Sequence, residues 1–309
     1  MKIFWLDKNG KSPPPDAKFY VRPFSSPLIA KKITRIDTLP PPASPIKILS
    51  KKFFPTKDEW IQNVEKTLLQ IKKNHLKKVV LARTVTLEFE TAPDPFRVTS
   101  ALKQKSEGAF LFCLSDPSFS FLGATPERLF LREKSAIQSD ALAGTKKRGE
   151  EGLLYSPKDL HEFSLVRTYI QETLSPFCSS ITASPTSIHE TANLQHLHSV
   201  VSACLEKPLS DLDILEKLHP TPALLGTPTE KASLWLQKIE PISRGFYGGA
   251  IGWIAKDSSD WIVAIRSCLL EKNTATLFSA AGIVEGSDPE KEWDELDQKL
   301  KLYDHIFYE

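Results

Sequence analysis

The amino-acid sequence predicts an α+β fold built on antiparallel sheet. Segments rich in β-branched and aromatic residues recur along the chain and are joined by short turns, which is typical of strands. Helical segments lie between some of these strands, but without the regular alternation of a parallel βαβ fold and without a fixed-period repeat. The strand segments are "KKVVLARTVTLEF", "GAFLFCLSDPSFSFLGATPERLFL", "YGGAIGWIA", "DWIVAIRSCLLE" and "TATLFSAAGIV".

Residues 1–55 differ in composition from the rest of the chain. The stretches "KSPPPDAKFYVRP" and "TLPPPASPIKILSKKFFP" concentrate prolines, which interrupt both helices and sheets. We therefore expect this segment to supply extended or edge strands to the same domain, with residues 56–309 forming the bulk of it.

The first helix is predicted from a 3.6-residue apolar period in "TKDEWIQNVEKTLLQIKKNHL", behind a cap at Thr56 or Asp58. The last is predicted in "SDPEKEWDELDQKL", where Ser287 or Asp288 can cap the helix and Pro289 suits its first position. Further helices are expected at about Pro157–Leu174, Ser210–Leu218 and Lys231–Ile239.

Composition excludes several classes of protein. The chain has 309 residues, 41% hydrophobic and 25% charged, with a net charge of +2, so nothing indicates nucleic acid or an anionic membrane. Its four cysteines are far apart, which argues against a zinc site or a disulfide framework and favours a reducing compartment. No apolar run is long enough for a signal peptide or a membrane span, so we expect a cytoplasmic protein.

Two of the predicted helices carry paired carboxylates. Asp159 and Glu162 are three residues apart in one helix, and Glu292 and Glu295 are three apart in the last. Like charges this close repel unless a cation lies between them, and four such oxygen donors would suit Mg²⁺. Alternatively, the pairs are solvated residues that favour the helix dipole, with Lys299 as a surface partner of Glu295.

Two further residues are candidates for acid–base chemistry. In a strand, Lys78 shares a face with Val80 and Ala82, and a lysine buried there could give up its proton and act as a general base. The alternative is a lysine at a frayed strand start. Glu127 follows a turn and precedes an apolar strand, where burial would raise its pKa and make it a proton donor; pairing with Arg128 or Arg132 is the alternative.

Arg266 occurs inside an otherwise apolar strand segment, "WIVAIRSCLL". A buried arginine must be paired, so it either closes an ion pair in the core or binds a substrate carboxylate. Glycine-rich turns in "ALAGTKKRG", "YGGAIGW" and "SAAGIVEGSDP" allow close backbone approach to an anion, but none matches a nucleotide-binding motif. For His219 in the rigid turn "LHPTPALLG" we favour a packing role.

These segments resemble, in the same order, the chorismate-utilising enzymes, and the chain is most similar to the isochorismate synthases of the menaquinone or siderophore type. The resemblance covers Trp60 to the C-terminus. It is carried by "KVVLAR", "FLGATPERLF", "ALAGTKKRG", "HEFSLV", "LHPTPALLG", "YGGAIGW", "VAIRS" and "AAGIVEGSDPEKEWDELDQKL".

The resemblance implies a single large domain, an antiparallel β-sandwich flanked by helices, with residues 56–309 as the chorismate-binding catalytic domain. It implies that Lys78 activates water as the general base, that Glu127 protonates the departing hydroxyl, and that His196 lies near the reacting ring. It also implies a Mg²⁺ cofactor that grips the ring carboxylate. The implied metal ligands are Glu162 and Glu295, assisted through water by Asp159 and Glu292.

The same resemblance implies contacts to the chorismate dianion. Arg266, Lys299 and the amides near Gly282 would receive the carboxylate of the enolpyruvyl side chain. Tyr247 would line the pocket, and Gly144 and Thr145 would approach the ring carboxylate.

Related activities leave alternatives open. Aminodeoxychorismate synthases place a lysine where this chain has Ala143, so water is the expected nucleophile and no glutamine amidotransferase subunit is expected. Salicylate synthases, which also eliminate pyruvate, remain the main alternative, and a relative that has lost turnover and only binds is a second. We expect a monomer that contacts neither nucleic acid nor membrane.

Overall fold

In the computed structural model, which describes residues 1–29, 33–42 and 46–307, the chain forms two large β-sheets and six α-helices. The strands are β1 (Lys2–Leu6), β2 (Lys18–Arg22), β3 (Thr34–Ile36), β4 (Ile48–Phe54), β5 (Lys78–Phe89), β6 (Phe110–Asp116), β7 (Phe119–Thr125), β8 (Arg128–Glu133), β9 (Ala136–Lys147), β10 (Cys178–Ala183), β11 (Ser187–Glu190), β12 (Leu194–Leu205), β13 (Gly226–Thr227), β14 (Ala250–Ile254), β15 (Ser258–Val263), β16 (Ser267–Glu271) and β17 (Thr274–Val284). The helices are α1 (Lys57–Lys72), α2 (Pro95–Lys105), α3 (Pro157–Leu174), α4 (Asp211–Leu218), α5 (Thr229–Ile239) and α6 (Pro289–Phe307).

Both sheets are antiparallel except for one pair of strands. The nine-stranded sheet has the order β13-β5-β17-β16-β7-β6-β1-β3, with β4 also paired to β5, and only β1 and β3 run parallel. The eight-stranded sheet has the order β10-β12-β9-β8-β15-β14-β2, with β11 also paired to β12. Of the strands within residues 1–55, β2, β3 and β4 lie at sheet edges and β1 lies between β3 and β6.

The alternation of side chains along β5 shows how the layers are built. Val80 and Ala82 point into a core shared by the two sheets, whereas Val79 and Leu81 point outward into a cluster with α1, α5 and α6. On the other side of the molecule, α3 and α4 pack against the outer face of the eight-stranded sheet. The prediction of an antiparallel β-sandwich flanked by helices is therefore confirmed.

A two-stranded ribbon passes from one sheet to the other. β7 pairs with β16 in the nine-stranded sheet, and their continuations β8 and β15 pair with each other in the eight-stranded sheet. The ribbon crosses at Pro126–Glu127 and Ala264–Arg266, where Val263 N donates to Glu127 O (3.1 Å) and Ala124 N donates to Arg266 O (3.1 Å). The prediction that Arg266 lies inside a strand is therefore wrong, because the segment "DWIVAIRSCLL" divides between the two sheets at this residue.

The predicted helices are present with small changes at their ends. Thr56 caps α1 in a capping box with Glu59, and Asp288 Oδ1 accepts from the first amides of α6. α2 and the strands β9 to β13 were not predicted, although Asp94 followed by Pro95 is a recognisable helix start. The interpretation of "ALAGTKKRG" as a turn is wrong, because most of this segment belongs to β9. Among the described residues, no helix combines the length and apolar character needed to cross a membrane.

Trp60 provides a test of this packing. It is 1% exposed and stacks edgewise on Trp293 of α6 (ring centroids 6.3 Å apart), so it joins α1 to the helix that carries Glu292 and Glu295. We predict that Trp60→Ala lowers the free energy of unfolding by about 3–5 kcal/mol, since a large buried ring is replaced by a cavity. Urea denaturation followed by far-UV circular dichroism measures this loss.

Leu69 on the same helix is the matched control for that substitution. It is 56% exposed, so Leu69→Ala should change the free energy of unfolding by less than about 0.5 kcal/mol. Equal losses in the two variants would contradict the packing described.

Candidate active site

A single buried cavity gathers most of the residues that the sequence singles out. It opens where the ribbon crosses between the sheets, next to α3 and α6. The predicted site residues that line it are Lys78, Glu127, Gly144, Thr145, Glu162, His196, Tyr247, Arg266, Gly282, Glu295 and Lys299. The other two, Asp159 and Glu292, line an adjoining groove that shares Thr145 and Glu295 with the cavity.

Lys78 is the first residue of β5, and its side chain points into the cavity. It is 1% exposed, and its Nζ lies 2.9 Å from Glu162 Oε1 on α3. Burial opposes ionisation of Glu162, but Lys78, Lys158 and Lys299 together outweigh burial and hold the pKa of that carboxyl below its usual value. Gly282 lies against this pair, because a Cβ there would fall 2.1 Å from Glu162 Oε1 and 2.8 Å from Lys78 Cε. Only glycine leaves room for the ion pair.

Glu127 lies at the ribbon crossing and has no ion-pair partner among the described residues. The two arginines that the sequence offers as partners of Glu127 pair with other residues. Arg128 binds Asp260 and Arg132 binds Asp211. Burial raises the pKa of Glu127 to about 8, and the nearby Asp140 carboxylate adds to that rise against the opposing charges of neighbouring lysines. The carboxyl is therefore protonated at neutral pH and can donate a proton.

Arg266 provides a half-buried cation that no carboxylate neutralises within the described part of the chain. Its backbone adopts a left-handed conformation (φ +49°), and its carbonyl accepts a hydrogen bond from Tyr303 Oη of α6 (2.9 Å). The guanidinium donates to Lys299 O at 3.4 Å and lies 3.2 Å from His196 Nε2. Burial lowers its pKa to about 10, so it stays charged at neutral pH and can receive an anion.

A bulge in β9 turns Thr145 and His196 towards the cavity. His196 pairs with Thr145 and Leu197 pairs with Ala143, which leaves Gly144 as the extra residue with a φ of +69°. Burial and the Arg266 charge hold the pKa of His196 well below its usual value, so the imidazole is neutral. Its Nδ1 lies 3.2 Å from Gly144 O and must carry the hydrogen, which leaves Nε2 to accept from Arg266.

The paired carboxylates of α3 and α6 are matched by lysines. Besides the Lys78–Glu162 pair, Lys158 Nζ lies 2.5 Å from Glu292 Oε1 and Lys299 Nζ lies 2.6 Å from Glu295 Oε1. Burial and the nearby Glu295 raise the pKa of Glu292 to about 7, and burial also raises that of Asp159. The four carboxylates are thus close enough to interact electrostatically, and lysines pair with three of them.

The chemistry of this donor set fits a hard divalent cation. Carboxylate oxygens are the ligands that Mg²⁺ prefers. Burial is the main cause of the raised pKa of Glu292, and such an ion would relieve the further contribution of the neighbouring Glu295 charge. With lysines as the partners of three of these carboxylates, no group of three or more is arranged at metal-binding distance in the described residues.

Sequence reasoning missed two charged residues of the site. Lys158 lies in the first turn of α3, where a cation opposes the helix dipole, and this unfavourable placement is a signal that it has a specific partner. Arg244 lines the cavity, binds Glu240, and donates to Leu224 O and Val80 O. Its role is to hold the backbone of β5 beside Lys78, and no local pattern in the sequence reveals it.

Comparison with known proteins finds relatives named as isochorismate synthases. Isochorismate synthase 2, chloroplastic, of Arabidopsis thaliana is 39% identical over 270 residues, which are 83% of this chain and 48% of that protein. Isochorismate synthase MenF of Bacillus subtilis is 39% identical over 256 residues, 79% of this chain and 54% of that protein. The solved structure of MenF, the menaquinone-specific isochorismate synthase from Escherichia coli, has a TM-score of 0.81 at 29% identity, covering 88% of this chain and 66% of that one.

The chain spans about half the length of the curated relatives that it matches. A family model described as chorismate binding enzyme matches residues 27–306, which include the whole cavity. The chain belongs to the chorismate-binding enzyme family.

Proposed function

We propose that the protein is an isochorismate synthase, which converts chorismate to isochorismate by adding water at C2 and releasing the hydroxyl from C4. One observation carries the proposal: a buried lysine, Lys78, and a protonated glutamate, Glu127, line the same cavity beside the unneutralised cation Arg266. The reaction needs a base for the incoming water, an acid for the departing hydroxyl and cations for a dianionic substrate. The names of the relatives point the same way.

In this proposal Lys78 takes a proton from the attacking water and Glu127 gives one to the hydroxyl that leaves. Glu127 already carries its proton at neutral pH because of burial. The contact with Glu162 holds the Lys78 amine in place at the cavity. His196 then positions the Arg266 guanidinium, since both of its ring nitrogens already have partners.

The remaining lining residues bind the substrate. Arg266, Lys299 and the amides near Gly282 receive the enolpyruvyl carboxylate, and Tyr247 forms a wall by stacking on Phe278 (ring centroids 5.1 Å apart). Gly144 and Thr145 approach the ring carboxylate. Mg²⁺, held by Glu162 and Glu295 with Asp159 and Glu292 around it, would supply the positive charge that neutralises this carboxylate.

Product analysis tests the proposal directly. Purified protein is incubated with chorismate and Mg²⁺, and the products are separated by liquid chromatography. Isochorismate alone is the expected product. Salicylate with pyruvate would instead assign a salicylate synthase, and unchanged chorismate that nevertheless binds would assign a binding protein.

The protonation of Glu127 predicts an alkaline limit to activity. A carboxyl with a pKa of about 8 is the acid below that pH and loses its proton above it, so kcat/KM should fall as pH rises through about 8. Glu127→Gln keeps the shape of the side chain without an ionisable proton, and we predict a loss of at least about 100-fold in kcat. A profile that stays flat to pH 9.5 in the wild type would contradict the assignment.

The role of Lys78 can be separated from its contribution to stability. Lys78→Met leaves the Glu162 carboxylate buried without its partner, which should lower the free energy of unfolding by about 3–5 kcal/mol as well as abolish turnover. The double variant Lys78→Met/Glu162→Gln removes both charges and should recover most of the stability while remaining inactive. Recovery of turnover together with stability would show that Lys78 is only structural.

The metal assignment is tested by comparing two glutamates on α6. Glu295→Gln removes a charged ligand, so we predict that half-maximal activity requires at least about tenfold more Mg²⁺. Glu290→Gln is the matched control, because that side chain is 59% exposed and pairs with Lys57 at the surface. Identical Mg²⁺ titrations for the two variants would argue against Glu295 as a ligand.

A further inference from the structure

A second cluster of charged side chains lies next to Glu127 but outside the cavity. Asp140 on β9 is 7% exposed, and its Oδ2 accepts hydrogen bonds from the backbone N of Arg128 (3.4 Å) and from Lys8 Nζ (2.8 Å). Its Oδ1 lies 3.3 Å from His198 Nε2 on β12. None of the side chains of Asp140, Lys8 and His198 lines the cavity, so none can touch the substrate there.

The position of Asp140 couples it to the acid. It accepts a hydrogen bond from the residue that directly follows Glu127, which places its carboxylate beside the ribbon crossing. Lys8 and His198 outweigh the effect of burial and hold the pKa of Asp140 below its usual value, so it is negatively charged at neutral pH. A buried negative charge close to Glu127 disfavours a second one there.

Resting on the function proposed above, we infer that Asp140 keeps the proton on Glu127 and that Lys8 moderates this effect, which makes both tuning residues of the general acid. Lys8 follows β1, so a residue of the N-terminal segment acts on a reacting group that it does not touch. The charged or titratable groups that face Glu127 are Asp140 on β9, Lys78 on β5, Lys8 after β1, Lys299 on α6, Tyr247 before β14 and Arg266 before β16. Those that face Asp140 are Lys8, His198 on β12, His189 on β11 and Asp260 on β15.

The two residues should have opposite effects. In Asp140→Asn the negative charge is removed, so Glu127 should lose its proton more readily and the alkaline limb of kcat/KM should move to lower pH by about one unit. In Lys8→Met the charge of Asp140 is less balanced, so the limb should move to higher pH, by about half a unit because Lys8 is partly screened by water. A general loss of packing would not move the alkaline limb of kcat/KM in opposite directions in the two variants.

Lys11→Met is the matched control, because Lys11 is an exposed lysine of the same turn. The alkaline limb of kcat/KM in this variant should lie at the same pH as in the wild type. If Asp140→Asn does not fold, Lys8→Met alone decides. The inference is overturned if the alkaline limb of kcat/KM is unchanged in Lys8→Met. It is also overturned if the limb moves in the same direction in both variants.

A second measurement does not depend on turnover. Glutamate labelled with ¹³C at its carboxyl carbon gives a titrating resonance for Glu127, assigned as the signal that disappears in Glu127→Gln. Its midpoint should move down in Asp140→Asn and up in Lys8→Met even if the protein does not convert chorismate. Opposite shifts without turnover would therefore reject the proposed function alone, whereas fixed midpoints would reject the tuning roles alone.

Discussion

Charge balance in a buried cavity is the constraint on which the site depends. Most of the residues that line it are buried, so each cation must be matched by an anion or by polar groups of the protein, or else its burial is costly. The Lys78–Glu162 pair joins β5 of the nine-stranded sheet to α3, which packs on the eight-stranded sheet. It therefore links two layers of the fold whose residues are distant in the sequence. Arg266 is the exception, because among the described residues only a histidine and a carbonyl contact its guanidinium. An uncompensated cation in such a place favours the binding of an anion.

The acidic helices extend the same balance to the mouth of the cavity. Lys158 of α3 reaches Glu292 of α6, while Lys299 remains within α6 beside Glu295 and also donates to Ala280 O (2.8 Å). Lys158 therefore ties the two helices together where their carboxylates would otherwise repel, and Lys299 ties α6 to β17. If Glu292 and Glu295 held the divalent ion proposed above, Lys158 and Lys299 would no longer be needed to balance their charge.

Much of this could be predicted from sequence, because the decisive signals are local. The apolar period and the caps locate α1, α3 and α6, and the fixed spacing of the acidic pairs places them on single helix faces. Contacts between residues far apart in the sequence could not be predicted. Lys8 binds Asp140, which is 132 positions away, and no local pattern around either residue indicates this contact. Arg266 was assigned to a strand because its neighbours are apolar on both sides. That pattern arises because the chain leaves one buried sheet and enters another without a polar loop between them.

The crossing of the ribbon has a consequence for motion. The acid Glu127 and the cation Arg266 belong to hydrogen-bonded strands that are embedded in both sheets, so they cannot separate unless the sandwich itself comes apart. We therefore expect the ribbon to open only on global unfolding. Its paired backbone amides should then be among the slowest in hydrogen exchange. We expect the motion that admits a ligand to come instead from α3 and α6. The side chains of these helices line the cavity and form ion pairs that can break individually.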